Sequence, residues 1–471
     1  MFSNHLKLLL LCFLLASATA VVVEADSGQP NIILLLSDDH SYPNLGCYGD
    51  QTARTPNLDR LAAQGMRFDR AYTAAPQCVP SRASIMAGRH PVDIDMSRFS
   101  ASMEMTIPTF AETLSDHGYY SAVMGRDHHI GNGRHRYDFF QSNNWNRKQF
   151  GDPVKILDEI NQKRDVQPLL LWVIFHEHHR NLMPFKQPVW DWEPEIWRPD
   201  SSDINLPPDF PDFPSLREDL CDFYSVLYTL DQRVGRIMKK LEDMNLSDNT
   251  IVVFIGDNGA AMLRGKGTLY ERGNHVPLIV RWPVRVQPGG HTDNLISGVD
   301  LAPTLLAAAG VDIPREMTGR SFLPLLTGKG DYQPNEAIFA QRGAHGYSLP
   351  HDTMALDLGR SITTPKYRLI YNALWDRPYL PVDMADKHYR VRCWFDMVEL
   401  EEKGELGEPF STLYFRKERP MFELFDLEED PYELNNLAGK PEYEDLEKDL
   451  KKQLAQWMVR DRDFLPLPTG R

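Results

Sequence analysis

Asn31-Ile32-Ile33-Leu34-Leu35-Leu36-Ser37-Asp38-Asp39 is the stretch on which the fold turns. Residues 32–36 are all apolar, with no polar alternate to leave a face in water. A strand of this kind belongs in a sheet covered on both sides, and this one stops at two carboxylates. Similar runs recur at 121–125, 169–175, 250–256 and 277–282. Helical patterns stand between them. One opens on Thr55-Pro56 and ends near Gly65. A second covers 108–117 and is stopped by Gly118. A long third, 216–244, carries Leu220, Phe223, Leu227 and Leu230 at helical spacing. Strand–helix alternation predicts an α/β fold with a largely parallel sheet, whose active groups gather at the carboxyl ends of the strands.

The pattern changes after about residue 335. Strands are predicted at 366–372 and 422–427 and an amphipathic helix at 442–458, so a smaller α+β domain is expected. The chain then divides into a catalytic domain at 30–340 and a C-terminal domain at 341–471. The stretch 184–214 is crowded with prolines, tryptophans and acids and reads as a wall or lid. An acidic patch at 399–405 reads as a solvated face. At the start, Lys7, an apolar run at 8–16 and Ala18-Thr19-Ala20 read as a secretory leader over residues 1–20. No later run is long and apolar enough to span a bilayer.

The chain has 471 residues and a net charge of −15. The acidic balance argues against nucleic acid as a partner. Beyond Cys12 in the leader, the cysteines are Cys47, Cys78, Cys221 and Cys393, too few for a disulfide scaffold and without metal-type spacing.

The chemistry centres on Cys78-Val79-Pro80-Ser81-Arg82. The string follows a polar loop and leads into a helix predicted over 80–87, stopped by Gly88. Residue 78 is thereby placed at a helix N-terminus, where free N–H groups and the helix dipole favour an anion. The strand from Thr250 ends in Asp257-Asn258, as the first ends in Asp38-Asp39. Three carboxylates and an amide oxygen form a hard oxygen set suited to Ca²⁺ or Mg²⁺. Histidines follow two other strands, in Arg126-Asp127-His128-His129 and His176-Glu177-His178-His179-Arg180. Neighbouring loop histidines rarely converge on one zinc ion, so acid–base work is the better reading. Lys266, flanked by glycines, completes a cationic ring with Arg82, Arg126 and Arg180, as a tetrahedral anion requires.

This ordered set resembles the type I, formylglycine-dependent sulfatases, over nearly the whole chain. Within them it is most similar to the heparan N-sulfatase (N-sulfoglucosamine sulfohydrolase) subgroup, through His179-Arg180 and through Arg360-Ser361 leading into 367–372. Two departures stand out. Arg126 occupies a position usually held by lysine, and Asn274-His275 stands where many members have arginine. The resemblance implies an alkaline-phosphatase-like fold, with a large mixed, mostly parallel sheet sandwiched by helices and an antiparallel sheet in the smaller domain. It implies that a maturation enzyme converts Cys78 to formylglycine. Asp38, Asp39, Cys78, Asp257 and Asn258 would hold Ca²⁺. Arg82, Arg126, His128, His179 and Lys266 would act with the modified residue 78 through a covalent sulfo-enzyme. The expected substrate is a sulfated sugar or polysaccharide fragment, N- or O-sulfated, met in an exported compartment. Arg180, His275, Arg342 and His345, with Trp375 and Arg377, are candidate substrate selectors. Two other readings are a phosphate or phosphonate ester hydrolase of the same superfamily and, if Cys78 stays unmodified, a non-catalytic sulfated-glycan-binding protein.

Overall fold

The computed structural model describes residues 28–99, 101–125, 137–142, 152–177, 179, 196–345, 356–385 and 391–467. The leader at 1–20, Arg126, His128 and Arg180 lie outside the described residues. In chain order the strands are β1 (Asn31–Ser37), β2 (Met66–Phe68), β3 (Ala71–Tyr72), β4 (Tyr120–Gly125), β5 (Phe139–Ser142), β6 (Leu169–Ile174), β7 (Thr250–Gly256), β8 (Leu278–Arg281), β9 (Gly290–Thr292), β10 (Ile296–Ser297), β11 (Ile338–Arg342), β12 (Gly359–Thr363), β13 (Tyr367–Asn372) and β14 (Phe422–Asp426). Eight form one sheet in the order β5-β4-β6-β1-β7-β8-β2-β9. Pairing is parallel from β5 to β7, antiparallel on both sides of β8, and parallel again between β2 and β9. The expected mixed, mostly parallel sheet is therefore present.

All seven residues of β1 are buried. Its side chains alternate between two cores. Ile33 and Leu35 pack with Leu171, Val173 and the long helix Pro214–Asp243 through Leu220, Leu227 and Leu230. Ile32, Leu34 and Leu36 pack with Ile85, Phe110 and Leu305 from the helices Cys78–Ala87, Phe110–Asp116 and Leu301–Ala308. Each such side chain contributes about 1.5–3 kcal/mol on burial, and a one-residue slip would exchange the two faces. The register sets Leu36 beside Ile174 and Ser37 beside Gly256. Asp38-Asp39 and Asp257-Asn258 thus leave adjacent strands at the same edge.

The helix bearing Cys78 begins two residues earlier than predicted, at Cys78 itself. Gln77 caps it in extended geometry, and the Ser81 N–H donates to the Gln77 carbonyl at 3.0 Å. Pro80 then sits in the first turn, where its missing N–H costs nothing. Gly88 ends the helix at φ +60 as expected. The three-residue strands β2 and β9 escaped the sequence reading because they are too short to show a period. Of the proline-rich stretch, residues 184–195 lie outside the described residues. Within the remainder, Ile204 and Phe210 join the core, and Asp209 meets Arg272 at 2.7 Å.

Strands β11 to β14 form an antiparallel sheet in sequential order. The helix Glu444–Arg460 covers it, setting Leu450, Leu454 and Trp457 against Ile362, Leu369 and Leu424. The sheet begins at Ile338, slightly ahead of the 341 boundary. It is tied to the larger part by the Gln341 N–H, which donates to the Ala74 carbonyl at 2.9 Å, and by His90 and Asp461 at 2.8 Å. Among the described residues, no helix is long and apolar enough to cross a membrane.

Candidate active site

The carboxyl edge of the sheet gathers its polar residues into one buried cluster. Cys78 Sγ lies 3.3 Å from Asp38 Oδ1 and 3.7 Å from Asp39 Oδ1. One turn on, Arg82 points back along the same helix. Its Nε is 2.8 Å and its Nη2 2.6 Å from Asp257 Oδ2, and Nη2 is 3.1 Å from Asp38 Oδ1. Asn258 Nδ2 donates to Asp39 Oδ1 at 2.8 Å. Asp39 itself has φ +60, and its N–H donates to Asp257 Oδ1 at 3.0 Å. Asp residues tolerate this left-handed region better than most, and here it turns both strand ends toward each other.

Lys266 enters from the loop after β7. That loop folds on itself tightly enough that a Cβ at Gly265 would lie 2.0 Å from the Ala260 carbonyl. The Gly267 N–H donates to Pro76 at 2.8 Å, joining this loop to the segment ahead of Cys78. Lys266 Nζ then reaches Asp39 at 2.9 Å and Asp383 Oδ2 at 2.8 Å. His179 is buried beside them: one of its ring nitrogens and a carboxylate oxygen from each of Asp39 and Asp383 lie within 4.8 Å of one another.

Burial and the charges present set the electrostatics. Burial pushes Asp39 up to about 8, with Lys266 opposing and Asp38, Asp257 and Asp383 adding to the rise. Burial works against charge on Arg82 and Lys266, yet their carboxylate partners outweigh it and hold both well above their ordinary values. Burial, followed by Asp38, pushes the Cys78 thiol well above its usual range. Within this cluster, four carboxylates (Asp38, Asp39, Asp257, Asp383) face two cations (Arg82, Lys266). Ligand atoms of Asp38, Asp39, Asp257 and Cys78 all lie within 4.8 Å of one another, and Asn258 Oδ1 is buried without a hydrogen-bond partner. Excess negative charge and an orphan amide oxygen fit a hard divalent cation.

The proposed substrate selectors behave differently from one another. His275 is committed within the protein: Nδ1 is 2.8 Å from Glu271 Oε2, Nε2 is 3.0 Å from the Asp69 carbonyl, and Tyr42 and Tyr72 stack on its ring. That arrangement leaves no ring nitrogen for a substrate. His345 Nε2 approaches Asp383 Oδ1 at 3.6 Å, which links it to Lys266. Arg342 is 2.7 Å from Asp357, which Arg419 also grips at 2.8 Å through both Nη atoms. Trp375 and Arg377 offer their carbonyls to Arg419. Arg342 Nε and His345 Nδ1 are buried without partners.

Burial raises Asp357, but Arg342 and then Arg419 outweigh it and hold the carboxyl below its ordinary value. A lowered folded value stabilises the protein above the unfolded one and is lost as pH falls through the folded one. Asp357→Asn is expected to cost about 3–5 kcal/mol at neutral pH by stranding two buried arginines. The gap to wild type should narrow on acidification below about pH 4. Denaturant unfolding across pH measures both.

Sequence reading missed Asp383 and the Asp357–Arg419 pair. Neither carries a motif; each lies in a loop of the C-terminal part, with Asp383 far along the chain from Lys266 and Asp357 far from Arg419.

Comparison with known proteins agrees with this geometry. Residues 30–311 match the Sulfatase family, and residues 261–386 and 401–460 match "N-sulphoglucosamine sulphohydrolase, C-terminal". Human N-sulphoglucosamine sulphohydrolase is 27% identical over 475 residues, covering 92% of this chain and 90% of that protein. An ulvan-active sulfatase of Formosa agariphila is 27% identical over 93% of this chain and 76% of its own length. Human arylsulfatase A reaches 32% identity over 69% of this chain and 72% of its own. A solved structure in complex with its substrate D-glucosamine-2-N,6-O-disulfate superposes with a TM-score of 0.66 at 20% identity, covering 93% of this chain and 99% of that one. A match across most of the larger part, on a sheet whose carboxyl edge assembles these carboxylates around Cys78 and Arg82, places the chain in the sulfatase family of hydrolases.

Proposed function

We propose that this sulfatase removes sulfate from a sulfated sugar, as an N-sulfate or O-sulfate, with residue 78 as formylglycine. The observation that carries the reading is the placement of Cys78 Sγ 3.3 Å from Asp38, with Arg82 and Lys266 buried in the same cluster. The names of the relatives support the substrate class, since they include a glucosamine N-sulfohydrolase and ulvan-active sulfatases. Asp38, Asp39, Asp257 and Asn258, with residue 78, would hold Ca²⁺ more readily than Mg²⁺. Bound there, the ion polarises the sulfuryl group and favours a deprotonated nucleophile. The hydrated aldehyde at residue 78 accepts the sulfuryl group through one hydroxyl and releases sulfate by internal elimination through the other. Arg82 anchors that residue, and the two side chains share Asp38 Oδ1, at 3.1 Å from Arg82 Nη2 and 3.3 Å from Cys78 Sγ. Lys266 supplies positive charge to sulfate oxygens, joined by Arg126, which lies outside the described residues. His179, beside Lys266, protonates the departing alcohol or amine, and His128 takes the proton of the second hydroxyl. Arg342 and His345, each with a buried unpartnered nitrogen, line the sugar side, with Arg180 as a further contact. The reading includes export through the leader at 1–20 and conversion of Cys78 by a formylglycine-generating enzyme.

Desulfation of a panel of defined N- and O-sulfated oligosaccharides tests the substrate, with paired sulfate and phosphate esters of one phenol as the reaction control. Sulfate release from sugars is expected, with the phenyl sulfate favoured over the phenyl phosphate. Preference for the phosphate ester would move the chain to the phosphohydrolase reading.

A further inference from the structure

Asp383 belongs to no motif, yet it sits where three side chains of the site meet. Its Oδ2 is 2.8 Å from Lys266 Nζ and its Oδ1 3.6 Å from His345 Nε2. One of its carboxylate oxygens also lies within 4.8 Å of a His179 ring nitrogen. The residue adopts φ +66, in the left-handed region that Asp tolerates better than most residues. The residue before it, Val382, packs closely on the loop that carries Lys266. Gly267 has φ +78, and a Cβ there would lie 2.3 Å from Val382 Cγ2. The loop bearing Lys266 and the loop bearing Asp383 are therefore interlocked.

A buried ammonium needs a close carboxylate. Lys266 has two, but Asp39 is also one of the oxygens suited to the cation. A carboxylate shared with a divalent ion attracts an ammonium less, so Asp383 is the partner left to hold Lys266 in place. We infer that Asp383 is a positioning residue for departure of the leaving group: it aims the Lys266 ammonium, beside His179, at the atom that separates from sulfur. This rests on the sulfohydrolase reading above. In that step the S–O or S–N bond breaks, its electron pair stays on the departing oxygen or nitrogen, and that atom takes a proton from the His179–Lys266 pair. The sulfuryl group passes to residue 78. A sugar alcohol or amine leaves poorly without that proton, whereas a nitrophenolate leaves without it. Loss of Asp383 should therefore discriminate between substrates by leaving group, which a purely structural defect would not do.

The test uses full-length Asp383→Asn and Asp383→Glu, with formylglycine content normalised by intact-mass measurement. Both are assayed on a sulfated glucosamine and on nitrophenyl sulfate. For Asp383→Asn, kcat on the sugar should fall on the order of 100-fold, the scale of a misplaced general acid, and about tenfold less on the aryl ester. Asp383→Glu keeps the charge and should show a smaller loss with the same bias; it decides the matter if the Asn variant does not fold. Equal losses on both substrates, or no loss, would overturn the inference. A wild-type enzyme that cleaves neither ester would overturn the sulfohydrolase reading itself, and this inference with it.

Discussion

Cys78→Ala is expected to abolish sulfate release, lowering kcat by on the order of 10⁴–10⁶-fold, the scale of removing a covalent nucleophile. The side chain is small and already lies in a packed helix, so the variant should fold. Cys78→Ser is the more informative change. A serine alkoxide can accept a sulfuryl group, but it has no second hydroxyl with which to expel it. This variant should therefore take up one sulfuryl group, visible as a mass increase on the peptide carrying residue 78, and then stall. Unconverted wild-type protein should also be inactive, because a thiol, like the serine hydroxyl, has no second hydroxyl with which to expel the sulfuryl group. Intact mass together with sulfate release measures all three. Full activity in protein whose Cys78 remains a thiol would falsify the formylglycine reading.

Asp257→Ala is expected to have the second-largest effect. Oδ2 of this carboxylate grips Arg82 at 2.8 and 2.6 Å, and Oδ1 accepts the Asp39 N–H at 3.0 Å. Truncation leaves the buried Arg82 with Asp38 as its carboxylate partner among the described residues, removes one oxygen from the proposed cation seat, and frees the turn at Asp39. Activity should fall at least on the order of 10²–10³-fold, the scale of losing one preorganised electrostatic group. Stability should fall by about 3–5 kcal/mol, as for a broken buried ion pair. Denaturant unfolding reads the second effect, and calcium titration calorimetry should show weakened binding. Chelation of the wild-type enzyme should mimic the loss of activity, with recovery on adding Ca²⁺. An Asp257→Ala enzyme with unchanged calcium affinity would remove this carboxylate from the cation seat.

Much of the site was legible because its chemistry is written in short local strings. Asp38-Asp39 and Asp257-Asn258 each follow an apolar strand, and Cys78 to Arg82 lies within one helical turn. Lys266 was legible only by association with that set. His275 was singled out for its sequence position, but the fold stacks it between Tyr42 and Tyr72 and occupies both ring nitrogens. No string of residues announces such a sandwich. Helix and strand limits moved by a residue or two where capping decided them, as at Gln77, whose carbonyl begins the helix ahead of Pro80.

By itself, the amino-acid order determined that β1 would be buried on both faces and that acids would stand at its end, because hydrophobic periodicity is a local property. It determined equally that Cys78 would open a helix, because proline and glycine act on their own neighbours. Which loop of the C-terminal part would reach Lys266 was decided only by tertiary packing. Asp383 is 117 positions beyond Lys266, and the contact exists because the small sheet docks through Gln341 and Ala74 and presses Val382 onto Gly267. A charge pair formed across two packed lobes depends on how the lobes meet, which no local pattern encodes.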